Sequence, residues 1–104
     1  MKKDGYETLT MTWRRVAIIV EHNPSWSPAY EKIQGARMTH SNISRVDGLA
    51  LPITETGYRS LFLDSRNLES YDGILDYIHQ WIESESNSKS WQKLDADQRQ
   101  LKLF

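Results

Sequence analysis

The amino-acid sequence predicts an α+β fold, in which a small antiparallel sheet of three to four strands carries one long and one short C-terminal helix on one face. Three observations lead to this prediction. The chain has 104 residues, of which 38% are apolar, which is enough for one hydrophobic core. Segments rich in β-branched and aromatic residues occupy the first two thirds of the chain. After Asp64 the spacing of the apolar residues changes from two to about three and a half, which is typical of amphipathic helices.

The composition divides the chain into three parts. We expect a flexible leader at residues 1–8, a single α+β domain at residues 9–98, and a peptide motif or tail at residues 99–104. The sequence contains no cysteine, which excludes disulfides and thiolate metal sites. The longest apolar run, VAIIV at 16–20, is far shorter than a membrane span. These features predict a cytoplasmic protein that has no contact with a membrane.

The segment TMTWRRVAIIVEH, residues 10–22, is the first predicted strand. Its VAIIV stretch is apolar at every position, which is typical of a strand that is covered on both faces, so we expect one central strand here. Residues 23–35, NPSWSPAYEKIQG, contain two prolines and end on glycine, which favours a loop. We expect Trp26 and Tyr30 to pin this loop to the body of the domain.

The middle of the chain predicts three further strands. Residues 36–46 are polar and β-tolerant, which indicates an edge strand or a half-exposed strand. The two-residue link Asp47-Gly48 favours a tight hairpin that pairs this strand with residues 49–54, LALPIT. The proline in that segment predicts an edge position or a bulge. Residues 58–63, YRSLFL, alternate in character and predict a fourth strand.

Two helices are predicted after the sheet. The first spans residues near 68–84, because apolar side chains recur there at spacings of three and four. The stretch ESESNSKS ends it. A second, shorter helix is expected to begin near Ser88 or Ser90. The residues on its apolar face are Trp91, Leu94, Gln98 and Leu101.

No motif for catalysis or for a cofactor is recognisable in the sequence. The three histidines, His22, His40 and His79, lack the spacing of a helical metal site. Glycine-rich phosphate loops and the GxSxG motif are missing. We therefore predict a non-enzymatic protein with no catalytic residue, no metal and no cofactor. An enzyme would require residues that are distant in the sequence to assemble in the fold.

Arginine and aromatic residues provide one candidate partner surface. The segment LPITETGYRS would present Tyr58 and Arg59 at a hairpin, and Arg14 and Arg15 lie in the first strand. Side chains of these types, placed together on a sheet, stack the bases of single-stranded nucleic acid. The sequence therefore predicts a candidate surface for single-stranded nucleic acid or for another partner. The requirements of the turn alone also explain the proline and glycine, so both interpretations stay open.

The chain ends on RQLKLF, and this segment is the second candidate partner site. QLKLF resembles the pentapeptide, close to Gln-Leu-Ser/Asp-Leu-Phe, by which bacterial DNA replication and repair proteins bind the polymerase sliding clamp. The matching residues are Gln100, Leu101, Leu103 and Phe104, and Lys102 departs from the pattern. The resemblance implies that the apolar pair enters a pocket of the clamp while the glutamine amide bonds to the rim of that pocket.

The apolar tail has a second interpretation. Leu101 would continue the face of the last helix, and Leu103 and Phe104 would pack as a plug of the core. Two longer stretches, TWRRVAIIVEHNPSWSPAYEKIQG and LPITETGYRS, resemble small uncharacterised proteins encoded in bacterial chromosomes and mobile elements. That resemblance implies a bacterial protein linked to plasmid or phage DNA. The predicted function is a small adaptor or accessory protein docked on the sliding clamp. The alternatives are a single-stranded nucleic-acid-binding module and a domain whose tail only plugs the core.

Overall fold

The strands precede the two long helices along the chain. The computed structural model describes residues 5–101, the last of them by its backbone alone. Four strands form an antiparallel sheet in chain order: β1 (Glu7–Trp13), β2 (Val16–Asn23), β3 (Met38–Arg45) and β4 (Tyr58–Asp64). The α-helices of the described residues are α1 (Pro28–Gln34), α2 (Ile74–Glu85) and α3 (Lys89–Leu101). The predicted α+β class and antiparallel sheet are thereby confirmed.

The predicted helices differ from the structure in number and length. One long and one short helix were expected, whereas α2 and α3 have 12 and 13 residues and α1 is a third helix. Helix α2 begins at Ile74 rather than near residue 68, because Gly73 adopts a φ of 118° that interrupts the helical backbone. The residues before it, Ser65–Leu68, form a 3₁₀ helix. The predicted start of α3 is correct, since the Ser88 hydroxyl accepts a hydrogen bond from its first turn.

The single strand expected over residues 10–22 is wrong, because a hairpin divides it. Arg14 and Arg15 have φ values of 46° and 68°, so both central positions of the turn are left-handed. The turn joins Trp13 directly to its partner Val16. Arginine does not usually occupy this conformation, and the sequence therefore gives no turn signal at this point. The VAIIV stretch itself lies in β2, an inner strand of the sheet.

Glu83 of α2 anchors this hairpin. Its carboxylate accepts hydrogen bonds from Nε and Nη2 of Arg14 at 3.1 and 2.9 Å, and from Nε1 of Trp13 at 2.8 Å. These bonds, that of Arg14 above all, hold the pKa of Glu83 below its usual value. The Arg14 guanidinium also lies 4.9 Å from the centre of the Trp13 ring. These contacts offset the backbone strain at Arg14, whereas no described residue bonds to the side chain of Arg15.

The loop expected over residues 23–35 contains helix α1. Ser27 caps it by accepting a hydrogen bond from the Tyr30 amide at 3.2 Å, and Pro28 takes the first position, where its missing N–H costs nothing. Gly35 ends the helix in the left-handed conformation, with its amide bonded to the Glu31 carbonyl at 2.9 Å. The proline and glycine that indicated a loop therefore mark the two ends of a helix.

Strand β3 is an inner strand, not the predicted edge or half-exposed strand. It pairs with β2 on one side and with β4 on the other, and its residues from Thr39 to Ile43 are buried. The hairpin expected at Asp47-Gly48 does not pair β3 with residues 49–54. In that segment Leu51 and Thr54 form only an isolated bridge, and the chain continues to β4, which was predicted correctly.

Arg45 holds the connection between β3 and β4 in this different arrangement. Its guanidinium donates to the Asp47 carboxylate at 2.7 Å and to the Ala50 carbonyl at 2.8 Å. Its backbone amide donates at 2.8 Å to the carbonyl of Gly57, the residue just before β4. The arginine side chain thereby folds the loop back on itself, and the partner of β3 becomes β4.

The hydrophobic core lies between one face of the sheet and the helices α2 and α3. Its centre is formed by isoleucine and valine side chains that are 1% exposed or less: Ile18, Val20, Ile43, Ile78 and Ile82. Trp91 of α3 closes one end, where its ring centre lies 6.1 Å from that of Trp13. The expectation that both C-terminal helices pack on the same face is thereby confirmed.

His22 of β2 lies on the covered face and is buried. Its Nδ1 is 2.9 Å from the Ser41 hydroxyl, to which it is hydrogen-bonded. Burial lowers the pKa of His22, and nearby Glu7 opposes this shift. The folded state thus favours the neutral imidazole.

We expect the Arg15→Gly variant to be more stable than the original chain by about 1 kcal/mol, because glycine adopts positive φ without a steric cost. The matched control is Arg14→Gly, which relieves the same strain but also removes the contacts with Glu83, and should gain less or lose stability. Urea unfolding of both variants measures the difference. Lower stability of Arg15→Gly than of the original chain would contradict a strained turn.

We expect the melting temperature to fall between about pH 7 and about pH 5, in part because of His22. Its folded-state pKa lies below the unfolded value of 6.5, so the unfolded state binds more protons as the pH drops through that value. The His22→Gln variant, which keeps a hydrogen-bonding group near Ser41, should show a flatter dependence. Thermal unfolding followed by circular dichroism tests this, with exposed His79→Gln as control. An unaltered pH dependence in His22→Gln would rule out this role.

Candidate functional site on the uncovered sheet face

The sheet face opposite α2 and α3 carries no long helix, and we call it the uncovered face. Strand alternation and the register of β3 with β4 bring one set of side chains together there: Met38, His40, Asn42, Tyr58, Ser60 and Phe62. Tyr58 and Phe62 are each 50% exposed, although their strand belongs to a sheet whose other face is sealed. Large aromatic side chains in such positions mark this face as the candidate functional site.

Three rings, those of Trp26, His40 and Phe62, form what we call the ring cluster. His40 and Phe62 are cross-strand partners whose rings stack with centres 4.4 Å apart. The Trp26 ring is tilted by 68° against Phe62, and its centre lies 4.7 Å from Phe62 and 6.2 Å from His40. Seen from Phe62, these separations place Trp26 roughly at a right angle to His40. Trp26 therefore lies at the edge of the Phe62 ring. Neither Trp26 nor His40 covers the second face of the Phe62 ring.

Hydrogen bonds fix the orientation of His40. Its Nδ1 lies 2.5 Å from the Tyr6 hydroxyl, and its Nε2 lies 2.8 Å from the Ser60 hydroxyl. The imidazole is 9% exposed and is thus buried beneath the aromatic side chains of the uncovered face. Because both ring nitrogens are bonded, the imidazole is a rigid support for the Phe62 ring.

A shallow apolar groove of about 300 Å³ lies beside the ring cluster and is lined by Trp26, Ser27, Tyr30, Met38 and Phe62. The Trp26 amide donates to the Met38 carbonyl at 2.8 Å, which ties the start of the α1 segment to β3. The Tyr30 hydroxyl donates to the Asp64 carboxylate at 2.5 Å. The predicted pinning of this segment by Trp26 and Tyr30 is thereby confirmed.

An ion pair lies next to Tyr30 of the groove. The Arg66 guanidinium donates to both oxygens of Asp64, at 2.9 and 2.7 Å. These bonds, followed by that from Tyr30, hold the pKa of Asp64 well below its usual value. The hydrogen bond from the Tyr30 hydroxyl to this carboxylate raises the pKa of Tyr30. Asp64 therefore stays ionised, and Arg66 compensates its charge.

Of the four residues predicted to form an arginine and aromatic surface, the structure places only Tyr58 on the uncovered face. Its hydroxyl donates to Oδ1 of Asn42 at 2.5 Å. Arg59 points to the opposite face, where its guanidinium lies 5.5 Å from the centre of the Trp81 ring. Arg14 is bonded to Glu83, and Arg15 is exposed at the β1–β2 turn. The structure does not bring these four side chains together.

The predicted clamp-binding residues lie at the end of α3 and beyond it. Gln100 is exposed in the last turn of the helix, and Leu101 is described by its backbone alone. Leu103 and Phe104 lie outside the described residues, as do the first four residues of the predicted leader. Before them, Gln98 is 8% exposed and bonds to Ala50 through both atoms of its amide group, at 3.0 and 3.4 Å.

The described part of the chain lacks two kinds of feature, a cluster of metal ligands and a membrane-spanning helix. Within it, no group of three or more histidine and acidic side chains is arranged to hold a metal ion. No helix between residues 5 and 101 combines the length and the apolar character that crossing a bilayer requires.

The sequence contained one usable signal for the ring cluster. The predicted site residues nevertheless include none of its three members. The alternation in residues 58–63 puts Tyr58, Ser60 and Phe62 on the same face, opposite two leucines. The position of His40 next to Phe62 depends on β3 pairing with β4, which the sequence did not predict. Trp26 reaches the cluster only because α1 folds its segment back over the sheet.

The Phe62→Ala variant is expected to fold and to lose only about 1 kcal/mol, because the ring is half exposed and its main contribution is ring packing. The Ile78→Ala variant, which removes a fully buried side chain, should lose about 2–5 kcal/mol. Urea unfolding of both variants measures the contrast. A loss at Phe62 as large as that at Ile78 would show that the ring cluster serves stability.

The chain matches a known protein family over most of its length. The family model described as KlcB third domain matches residues 6–91. That range runs from the residue before β1 into the first turn of α3, and it contains the whole sheet and the ring cluster. No curated protein and no solved structure matches the chain. Since the family model covers most of its length, the chain belongs to the KlcB third domain family.

Proposed function

We propose that this domain is a small non-enzymatic adaptor of the bacterial cytoplasm, which uses no metal or cofactor and binds partners at two surfaces. The first surface is the uncovered face with its ring cluster. The second is the peptide QLKLF, which docks on the polymerase sliding clamp. The ring cluster is the observation that carries this proposal, since it places half-exposed Trp26 and Phe62 on a domain whose core is closed elsewhere.

The ring cluster has the physical properties of a binding surface. Trp26 is 47% exposed, although tryptophan usually gains most from burial. Its position is fixed through the Trp26 amide, and that of Phe62 through the bonded imidazole of His40. A partner therefore meets rings that are already ordered, and it does not have to offset the entropy of fixing them.

A separate observation favours the peptide as the second surface. The bidentate bond between Gln98 and Ala50 is the last buried contact of α3 within the described residues. Arg99 and Gln100, which follow, are exposed, and among the described residues Arg99 pairs with Asp95 of its own helix, at 3.0 Å. The side chain that begins the pentapeptide is thus accessible to the rim of a pocket on a clamp.

We expect the double variant Leu103→Ala, Phe104→Ala to lose binding to an immobilised bacterial sliding clamp, with an affinity at least about tenfold weaker than that of the original chain. Its melting temperature should be unchanged. The matched control is Lys102→Ala, at the position that departs from the motif, which should bind at least as well as the original chain. Surface plasmon resonance and thermal unfolding provide the two measurements.

Two results would end the clamp proposal. The first is that the original chain does not bind the clamp even at about 100 μM, which is weaker than a short docking peptide requires. The second is that the double variant melts several degrees lower, because that result identifies the two side chains as a plug of the core.

A further inference from the structure

We infer that β1 pairs with β1 of a second copy of this chain, antiparallel and centred on Thr10, so that two domains share one continuous sheet. This edge of the sheet belongs to neither surface of the proposed function. Three observations carry the inference. They are the direction of the backbone groups of β1, the lack of protecting features along this strand, and the charges at its two ends.

Strand β1 forms one edge of the sheet, and half of its backbone groups point away from it. It pairs with β2 alone, in a continuous register. The Ala17 carbonyl of β2 accepts from the Val46 amide at 3.0 Å and so points toward β3, which means that its partner Thr12 bonds away from β2. By alternation the outward residues of β1 are Thr8, Thr10 and Thr12. No described residue bonds to their amides and carbonyls, which form a template for another strand.

Sheet edges are usually protected against other chains by charged side chains, prolines or bulges. None of these occurs in β1 between Thr8 and Trp13, TLTMTW. The opposite edge differs, because the loop before β4 covers its beginning. The Tyr58 carbonyl accepts from the Thr54 hydroxyl at 2.8 Å, and the Tyr58 amide donates to the Thr56 hydroxyl at 3.4 Å. The open edge of the sheet is therefore that of β1.

Strand geometry selects the register between two β1 strands. Outward residues must meet outward residues, and an antiparallel pair centred on Thr10 is the arrangement that aligns all seven residues of the strand. Thr10 then lies opposite Thr10 of the second copy, and Thr8 lies opposite its Thr12. Pairs of threonines in these positions stabilise antiparallel sheets.

The same register brings apolar side chains together on the face that carries α2 and α3. Leu9 and Met11 are half-buried there and pack against the core. Leu9 of one copy lies opposite Met11 of the other, and this pairing occurs twice because the arrangement is symmetric. Apolar surface that each domain leaves exposed is thereby removed from water.

The charges at the ends of β1 select a second copy in antiparallel orientation. Glu7 begins the strand, and Arg14 and Arg15 follow its last residue. Glu7 and Arg15 are exposed, and no described residue forms an ion pair with either of them. In the register centred on Thr10, Glu7 lies opposite Trp13 of the second copy, beside the turn that carries its two arginines. A parallel pair brings like charges together instead. The strand is thus its own complement, which favours a second copy over a foreign peptide.

The first test is sedimentation velocity of the full chain from about 5 to about 200 μM. We expect a dimer that forms as the concentration rises and that weakens with salt. Thr10→Lys places two like charges opposite each other at the symmetry axis and should weaken the dimer about tenfold or more. The matched control is Thr8→Lys, which faces Thr12 of the second copy and should weaken it less. Circular dichroism checks that both variants fold.

The second test reports the register, because the chain has no cysteine of its own. In the pair centred on Thr10, the two Cα atoms of that residue lie about 5.5 Å apart, within the range of a disulfide. Thr10→Cys should therefore form a covalent dimer when oxidised glutathione is added, as seen by non-reducing electrophoresis. In the matched control Thr12→Cys, the two cysteines lie about 13 Å apart along the strands and should not cross-link.

The third test exchanges the charges. Glu7→Arg should weaken the dimer about fivefold, since two ion pairs become repulsive contacts, and adding Arg15→Glu should restore it.

Four results would overturn the inference. They are a monomer at about 200 μM, a dimer that Thr10→Lys leaves intact, equal cross-linking of the two cysteine variants, and self-association that Phe62→Ala abolishes. The last result identifies the uncovered face as the interface between copies. Clamp binding is measured separately, so none of these results bears on that part of the proposed function.

Discussion

Both long helices follow the sheet in the chain, and both pack on the same face of it. This constraint determines the rest of the molecule. The side chains of Ile18, Val20 and Ile43 are buried in the core that α2 shares, so the centre of one side of the sheet is dry. Among the described residues, the α1 segment and Tyr6 pack over the other side. Antiparallel sheets tolerate one face toward water, and this domain places aromatic residues on that face in addition to the charged Glu21 and Asp64.

His40 is a buried polar side chain on the side of the sheet that faces solvent. It lies on the uncovered face and is nevertheless buried, because the rings of Phe62, Trp26 and Tyr6 surround it. A buried imidazole requires partners for both nitrogens, and the Tyr6 and Ser60 hydroxyl groups provide them. The polar network and the ring cluster therefore depend on each other. Tyr6 precedes β1 and Phe62 lies in β4, so the network links the two edges of the sheet.

The sequence predicted the parts of the fold that depend on periodicity, and it failed where a side chain decides the path of the backbone. Alternation identified β4 and the common face of Tyr58 and Phe62, and spacing identified α3. The turn at Arg14 could not be recognised, because its strain is offset by Glu83, a residue distant in the sequence. Asp47-Gly48 is a common hairpin signal, but Arg45 binds its loop instead. Because the loop held by Arg45 makes β4 the partner of β3, the sequence did not predict the contact between His40 and Phe62.

The ring cluster and the described end of α3 lie at opposite ends of the sheet. The ring cluster is at the end where Asn23 pairs with His40, whereas Gln98 and Arg99 of α3 line a cleft with Arg15 at the other end. The eight residues of β2 separate these ends by about 23 Å. A partner bound at the ring cluster would therefore leave the described end of α3 accessible. The family match includes the ring cluster and stops before Gln100. Binding at the uncovered face is thus argued for the family domain itself, whereas clamp docking is argued only from the last residues of this chain.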